Sequence, residues 1–168
     1  MSHIGADLML RVIQDYPIFE AKKRPQPEEG VSHSPKITKD MFEILWNEKT
    51  AQQVYNQWRA LGETSNLFSY FSKTNALVKL EDISLPSAEI QEHLDRINSA
   101  NPGQIVSLKK KGIGRFIGVK CVDGWICFQK FSNAGKKYMG VTDFHNGFIA
   151  RFKNESQYFV SSREIKTS

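Results

Sequence analysis

Twelve lysines and arginines fall in residues 101–168 against four carboxylates, Asp123, Asp143, Glu155 and Glu164, whereas residues 1–100 hold eleven against fourteen. The positive side chains interleave with apolar ones: Lys109, Lys110 and Lys111 in a row, then Arg115, Lys120, Lys130, and the pair Lys136 and Lys137. Ammonium and guanidinium groups gathered this way suit a polyanion, nucleic acid first and an anionic membrane surface second. A solubilising lysine face is the plainer reading of the same residues. Groups suited to covalent chemistry are sparse. The four histidines and the scattered acids form no acid–base pair with a nucleophile, and neither a GxxxxGK[ST] loop nor a dinucleotide fingerprint occurs.

Cys121 and Cys127 bracket an Asp123-Gly124 turn signal. A two-residue hairpin there pairs Val122 with Trp125, Cys121 with Ile126 and Lys120 with Cys127. Because neighbours along a strand alternate, the two thiols then point to opposite faces, which disfavours a disulfide. Without a CxxC motif or a histidine at ligand spacing, a zinc site is not expected. Ile117, Val119, Cys121, Ile126 and Phe128 are expected on the inner face, and Lys120, Val122, Trp125, Cys127 and Lys130 on the outer one. Trp125 is expected to be half-buried, with stacking on a base as its alternative use.

These residues need a scaffold, and 168 residues with 40% apolar and 24% charged content are enough for one cored domain with an appendage. No apolar run is long enough to span a bilayer, so no membrane partner is expected. Ile4, Leu8, Val12 and Tyr16 recur every four residues, which predicts a helix over 3–16 stopped by Pro17. Acids inside its apolar stretch make it unlike a signal or transit peptide. Residues 18–38, with three prolines and little periodicity, predict an extended linker. Phe42–Trp46 suggests a short strand. Thr50 and Gln53 form a capping-box pattern ahead of Ala51, Val54, Tyr55, Trp58 and Leu61 at helical spacing, with Arg59 off the apolar stripe. A hairpin over 66–85 and an acidic-faced helix opened by Pro86-Ser87 follow. Then come a strand from Gln104 to Leu108, a basic loop at 109–112, paired strands at 116–122 and 125–131, and a short helix at 141–146 ended by Gly147. Residues 153–168 read as a polar, frayed tail. The expected fold is mixed, mainly β: a partly open OB-like barrel of five or six strands with two or three helices.

Seven stretches, taken in order, carry a resemblance: GADLML at 5–10, PQPEEGVSHSPKIT at 25–38, FEILW at 42–46, VYNQWRAL at 54–61, PGQIV at 102–106, VKCVDGWICF at 119–128 and KKYMGVTDFHNG at 136–147. Together they resemble the methionyl-tRNA formyltransferase family from its last catalytic-domain helix to its C-terminal domain. The resemblance implies residues 1–17 as that helix, 18–38 as the linker, 39–152 as an OB-like tRNA-binding domain and 153–168 as the tail. It implies an enzyme that moves a formyl group from 10-formyltetrahydrofolate to the amino group of initiator methionyl-tRNA. In place of the Pro-Trp-Pro-Gly-like segment usual in bacterial members, this chain has GETSNLFSYF, which looks like the mitochondrial ones and implies the mitochondrial matrix.

The family's catalytic Asn, His and Asp and its HxSxLPxxRG-like loop lie upstream of everything matched, and the motif does not occur here. The expectation is therefore a C-terminal portion, monomeric, that binds tRNA without transferring formyl groups and holds no cofactor itself. Its phosphate contacts would be Lys109, Lys110, Lys111, Arg115, Lys120, Lys130, Lys136, Lys137 and Arg59. The competing reading is a free-standing basic module for RNA or protein.

Overall fold

A computed structural model describes residues 2–97, 100–112, 114–133, 135–152 and 155–166. The chain divides into two units, Met1–Lys36 and Ile37–Ser168. In the first, helix α1 spans Ser2–Gln14 and α2 spans Tyr16–Ala21. Pro17 does not end the helical stretch as expected. It sits in the first turn of α2, where a missing N–H leaves no bond unmade. The linker expected over 18–38 therefore starts later: Ile18–Ala21 are helical, and no helix or strand occurs over 22–36. Along the two helices Ile4, Leu8, Met9, Leu10, Ile13, Tyr16, Ile18 and Phe19 remain exposed.

The second unit is a seven-stranded antiparallel sheet: β1 Leu67–Phe71, β2 Ala76–Ser84, β3 Ile105–Lys110, β4 Gly114–Lys120, β5 Trp125–Asn133, β6 Met139–Gly140 and β7 Phe159–Val160. The order is β3-β4-β5-β2-β1-β7, with β6 on β5, and the ladder does not close. This is the mixed, mainly β architecture expected. The two ends meet at one isolated bridge, Gln104–Tyr158, where the Phe159 N–H donates to the Gly103 carbonyl at 2.8 Å. Gly103 has φ +82°, and a Cβ there would lie 2.3 Å from the Phe159 carbonyl oxygen. Only glycine lets the ends approach so closely.

Helix α3, Ala51–Leu61, begins with the expected capping box: the Gln53 N–H donates to Thr50 Oγ1 at 3.1 Å, and the Thr50 N–H donates to Gln53 Oε1 at 2.9 Å. Helix α4, Ala88–Asp95, is capped by Ser87. Inner-face residues Ile117, Val119, Cys121, Ile126 and Phe128 join Ile44, Trp46, Val54, Leu80 and Phe159 in the main core, as the alternation predicted. The outer face is covered as well. Leu94 of α4 packs with Phe116, Trp125 and Cys127 in a second core. Gly118 of β4 makes room for it, since a Cβ would stand 2.9 Å from Leu94 Cδ2.

Several expectations need correction. Phe42–Trp46 makes no strand: a 3-10 turn over Lys39–Phe42 leads to a lone parallel bridge, Glu43–Phe68. The chain must then turn at once, with the Glu48 and Lys49 N–H groups both donating to the Leu45 carbonyl. In the β4–β5 hairpin, Lys120 pairs with Trp125, Val119 with Ile126 and Gly118 with Cys127, two residues from the expected register. The loop is Cys121–Gly124 because the Asp123 carboxylate accepts from the Ala51 N–H at 2.9 Å and the Val122 N–H donates to the Lys49 carbonyl. A shift of two preserves the faces, so the free thiols of Cys121 and Cys127 still lie on opposite sides. Lys109 and Lys110 belong to β3, outside any basic loop.

Gly147 does not end the helix after β6. Helix α5, Val141–Phe144, continues through a π-helical turn, His145–Ile149, and a 3-10 turn, Ala150–Phe152. The stretch expected to fray, 153–168, contains β7 on β1 and helix α6, Ser162–Ile165. Phe159 is 1% exposed. The buried Glu43 carboxylate accepts from both the N–H and the Oγ of Ser162. These contacts fasten the C-terminal segment to the opposite end of the same unit.

Candidate nucleic-acid interface

Cross-strand register decides which basic side chains share a surface. On the β3–β4 hairpin Lys109 stands opposite Arg115, and Lys110 opposite Gly114. Lys109 and Arg115 therefore share one face at the free end of the hairpin, beyond Ile105 and Val119. Lys111 follows in the turn and is exposed. Among the described residues Lys109 and Lys111 have no ion-pair or side-chain hydrogen-bond partner. Arg115 donates one bond, to Ser107 Oγ at 3.1 Å, which orients the guanidinium and leaves most of its donors available.

Lys110 points the other way and ion-pairs with Glu89 of α4. That ammonium holds the Glu89 carboxyl below the usual carboxylate range, by hydrogen bonding first and by charge second. The acidic helix thus touches the basic hairpin and answers one of its lysines. Lys120, at the far end of β4, lies with its Nζ 5.3 Å from the Trp125 ring centroid. Trp125 is 2% exposed, deeper than the half-buried position expected, and offers no face to a base.

Lys130 and Arg59 share a cleft with Glu63, Glu81 and Asp82, and Lys130 is ion-paired to Asp82 at 3.3 Å. The position follows from a change of inward face: Leu80 and Ile83 on β2, and Phe128 and Phe131 on β5, are all buried although three residues apart, and Asp82 has φ +60°. Three carboxylates beside two cations make this cleft a poor seat for phosphate. Lys136 and Lys137 are exposed in the turn before β6. The Lys136 carbonyl accepts from Ser132 Oγ at 2.7 Å, which fixes its backbone while its ammonium stays unpaired among the described residues. The same region presents Arg151, exposed on the 3-10 turn after the π-helical one and passed over in the sequence. Reading Gly147 as a stop hid it.

The sequence-chosen cations therefore divide into a set at the end of the β3–β4 hairpin, an exposed set around Lys136, and a set held against carboxylates or aromatic rings. Burial pushes the thiols of Cys121 and Cys127 up to about 12, so neither is a nucleophile at neutral pH. Among the described residues no three His, Cys, Asp or Glu side chains gather as metal ligands, and no helix is long and apolar enough to cross a membrane.

Known proteins give this arrangement a lineage. Residues 36–149 match the family described as "Formyl transferase, C-terminal domain". The chain is 26% identical over 168 residues to the mitochondrial methionyl-tRNA formyltransferase of Rattus norvegicus, covering 99% of this chain and 42% of that protein. It is 29% identical over 149 residues to the mitochondrial enzyme of Homo sapiens, covering 89% and 37%. It is 31% identical over 144 residues to the methionyl-tRNA formyltransferase of Finegoldia magna, covering 86% and 42%. It spans roughly two fifths of the length of such relatives. The match takes in the sheet from β1 to β6 and every basic residue singled out in the sequence. This chain belongs to the formyl transferase C-terminal domain family and resembles the C-terminal portion of methionyl-tRNA formyltransferases.

Proposed function

We propose that this chain is the tRNA-holding portion of a methionyl-tRNA formyltransferase, gripping the phosphate backbone of initiator methionyl-tRNA while the formyl group is moved elsewhere in the enzyme. The observation that carries this reading is the trio Lys109, Lys111 and Arg115 at the end of the β3–β4 hairpin, the two lysines exposed and the arginine half-buried, within a chain of this family. Cations without partners gain most from phosphate, because binding releases the counterions condensed on the nucleic acid. A planar guanidinium held by Ser107 adds forked recognition of phosphate oxygens. In the same reading, the exposed apolar side chains of α1 and α2 dock against the catalytic portion of the enzyme. We place the protein in the mitochondrial matrix, as a monomer; relatives of both mitochondrial and bacterial kind match it, and the segment GETSNLFSYF favours the former.

The full-length family's 10-formyltetrahydrofolate fits poorly here. A folate ring wants an enclosed slot with converging polar groups. Two of the clefts among the described residues are grooves edged by long charged side chains such as Arg59, Lys130 and Arg151, and a larger one beside Phe68 and Tyr70 is rimmed by Lys39, Asp40, Glu43 and Lys79. No step is assigned to the cofactor on this chain. The alternative, a free-standing basic module, shares the electrostatics but gives the exposed apolar stripe of α1 no partner.

Titration with initiator tRNA at rising salt tests the reading. The logarithm of the affinity should fall steeply against the logarithm of salt, with each phosphate contact contributing about 0.7–0.9 to the slope. Salt-insensitive binding, or no binding, rejects it. Formyl transfer by this chain alone, given 10-formyltetrahydrofolate and methionyl-tRNA, would reject the division of labour.

A further inference from the structure

Three phenylalanines form a stack that runs outward from the core. The rings of Phe131 and Phe144 lie 4.1 Å apart at 13°, and those of Phe144 and Phe148 lie 4.8 Å apart at 17°. Phe131 and Phe144 are fully buried, whereas Phe148 is only half-buried and lines a cleft of about 550 Å³. That volume is within the span of roughly 300–1,000 Å³ typical of small-ligand sites. Phe148 belongs to the π-helical turn, a rare conformation that recurs at functional sites. Ala76, Met139 and Phe152 add to the apolar lining, with Lys136 and Arg151 beside them and Asp143 as the lining carboxylate.

Both cations are exposed, and neither has an ion-pair partner among the described residues. The cleft thus offers a flat aromatic edge beside surplus positive charge, the two features that hold a nucleotide without reading its sequence. Two other grooves among the described residues lack that combination. The one containing Phe68 and Tyr70 sets Lys39 and Lys79 against Asp40 and Glu43, and the one containing Arg59 is acidic on balance.

We propose that this cleft seats one nucleotide of the bound RNA, its phosphate between Lys136 and Arg151 and its base against Phe148 and Phe152. The inference rests on the tRNA-holding reading and adds a second contact region, with Arg151 as a new binding residue. In this arrangement the RNA strand touches the turn after β5 as well as the β3–β4 hairpin.

The test uses the whole chain and an initiator tRNA transcript, comparing wild type with Arg151→Gln and with the double variant Lys136→Gln/Arg151→Gln. Each lost cation should lower the salt slope by about 0.7–0.9. Thermal midpoints should hold, because both side chains are exposed. A transcript carrying 4-thiouridine, irradiated in the complex, should crosslink to the peptide containing Phe148 and Phe152. Salt-dependent binding by wild type with an unchanged slope in the double variant overturns the cleft alone, as do crosslinks confined to the β3–β4 hairpin. Loss of salt-dependent binding in wild type overturns the tRNA-holding reading and the cleft with it.

Discussion

Cys121 and Cys127 show how one residue type can be read for chemistry and settled by packing. Each thiol is pushed up to about 12, by burial first; beside Cys121 the Asp123 carboxylate adds to the effect and Lys120 opposes it. At neutral pH neither supplies a thiolate. A thiol reagent should therefore leave the native protein unlabelled at pH 7–8 and modify both residues once denaturant is added; rapid labelling of the native chain would contradict the burial. The sign of the linkage follows. An unfolded thiol ionises near ~8.5. Below that pH both states stay protonated, and between there and about 12 only the unfolded chain loses protons. Stability should fall as pH rises through that window. Gly103 makes a second case at this scale. With φ +82° and no room for a Cβ before the Phe159 carbonyl, Gly103→Ala should cost about 2–3 kcal/mol, read by denaturant unfolding.

Elements were legible where their instructions are local. The Thr50–Gln53 box announces α3 within four residues, and the alternation from Ile117 to Phe128 sorts the two faces of β4 and β5, until the inward face changes before Phe131. Elements were lost where the instruction comes from far along the chain. The Asp123-Gly124 pair signals a tight turn, but Asp123 answers the N-terminus of α3, where the Ala51 N–H has no partner within the helix. Nothing near residue 123 encodes that demand. Strand β7 is two residues long and pairs with Tyr70 and Phe71 of β1, too short for any period to show. The one local clue was Ser161 with Glu164, a capping box around α6 that read as part of a polar run. Two substitutions separate these effects. Asp123→Ala should cost about 1 kcal/mol through the lost cap. Phe159→Ala should cost about 3–5 kcal/mol, as expected for a large aromatic removed from a core. Thermal melts measure both, and a Phe159→Ala protein as stable as wild type would mean that β7 is dispensable.

Over the whole molecule, the net charge of +5 is less informative than which cations already have partners. Composition placed Lys109, Lys110 and Lys111 in one cluster, whereas strand alternation turns Lys110 towards α4 and Glu89. A paired lysine adds little to the field a distant phosphate feels, because its carboxylate cancels it. The consequence is measurable in tRNA binding. Lys109→Gln/Lys111→Gln should lower the salt slope by about 1.4–1.8, as expected if both side chains meet phosphates. Glu89→Gln/Lys110→Gln removes one charge of each sign and should leave slope and affinity near wild type. Lys110→Gln alone should weaken binding, because it leaves an unanswered carboxylate beside the hairpin, and adding Glu89→Gln should restore it. Acid distinguishes the pair in another way. The folded Glu89 carboxyl is held below its ordinary value, so its contribution to stability is present above the unfolded value and lost as pH falls through the folded one. Lys110→Gln should remove that portion of the acid sensitivity. If that variant instead binds tRNA as wild type does while keeping the acid response, the Glu89–Lys110 pair has no role in the surface electrostatics; weaker binding that Glu89→Gln fails to restore would place Lys110 with Lys109 and Lys111 as a cation that meets phosphate.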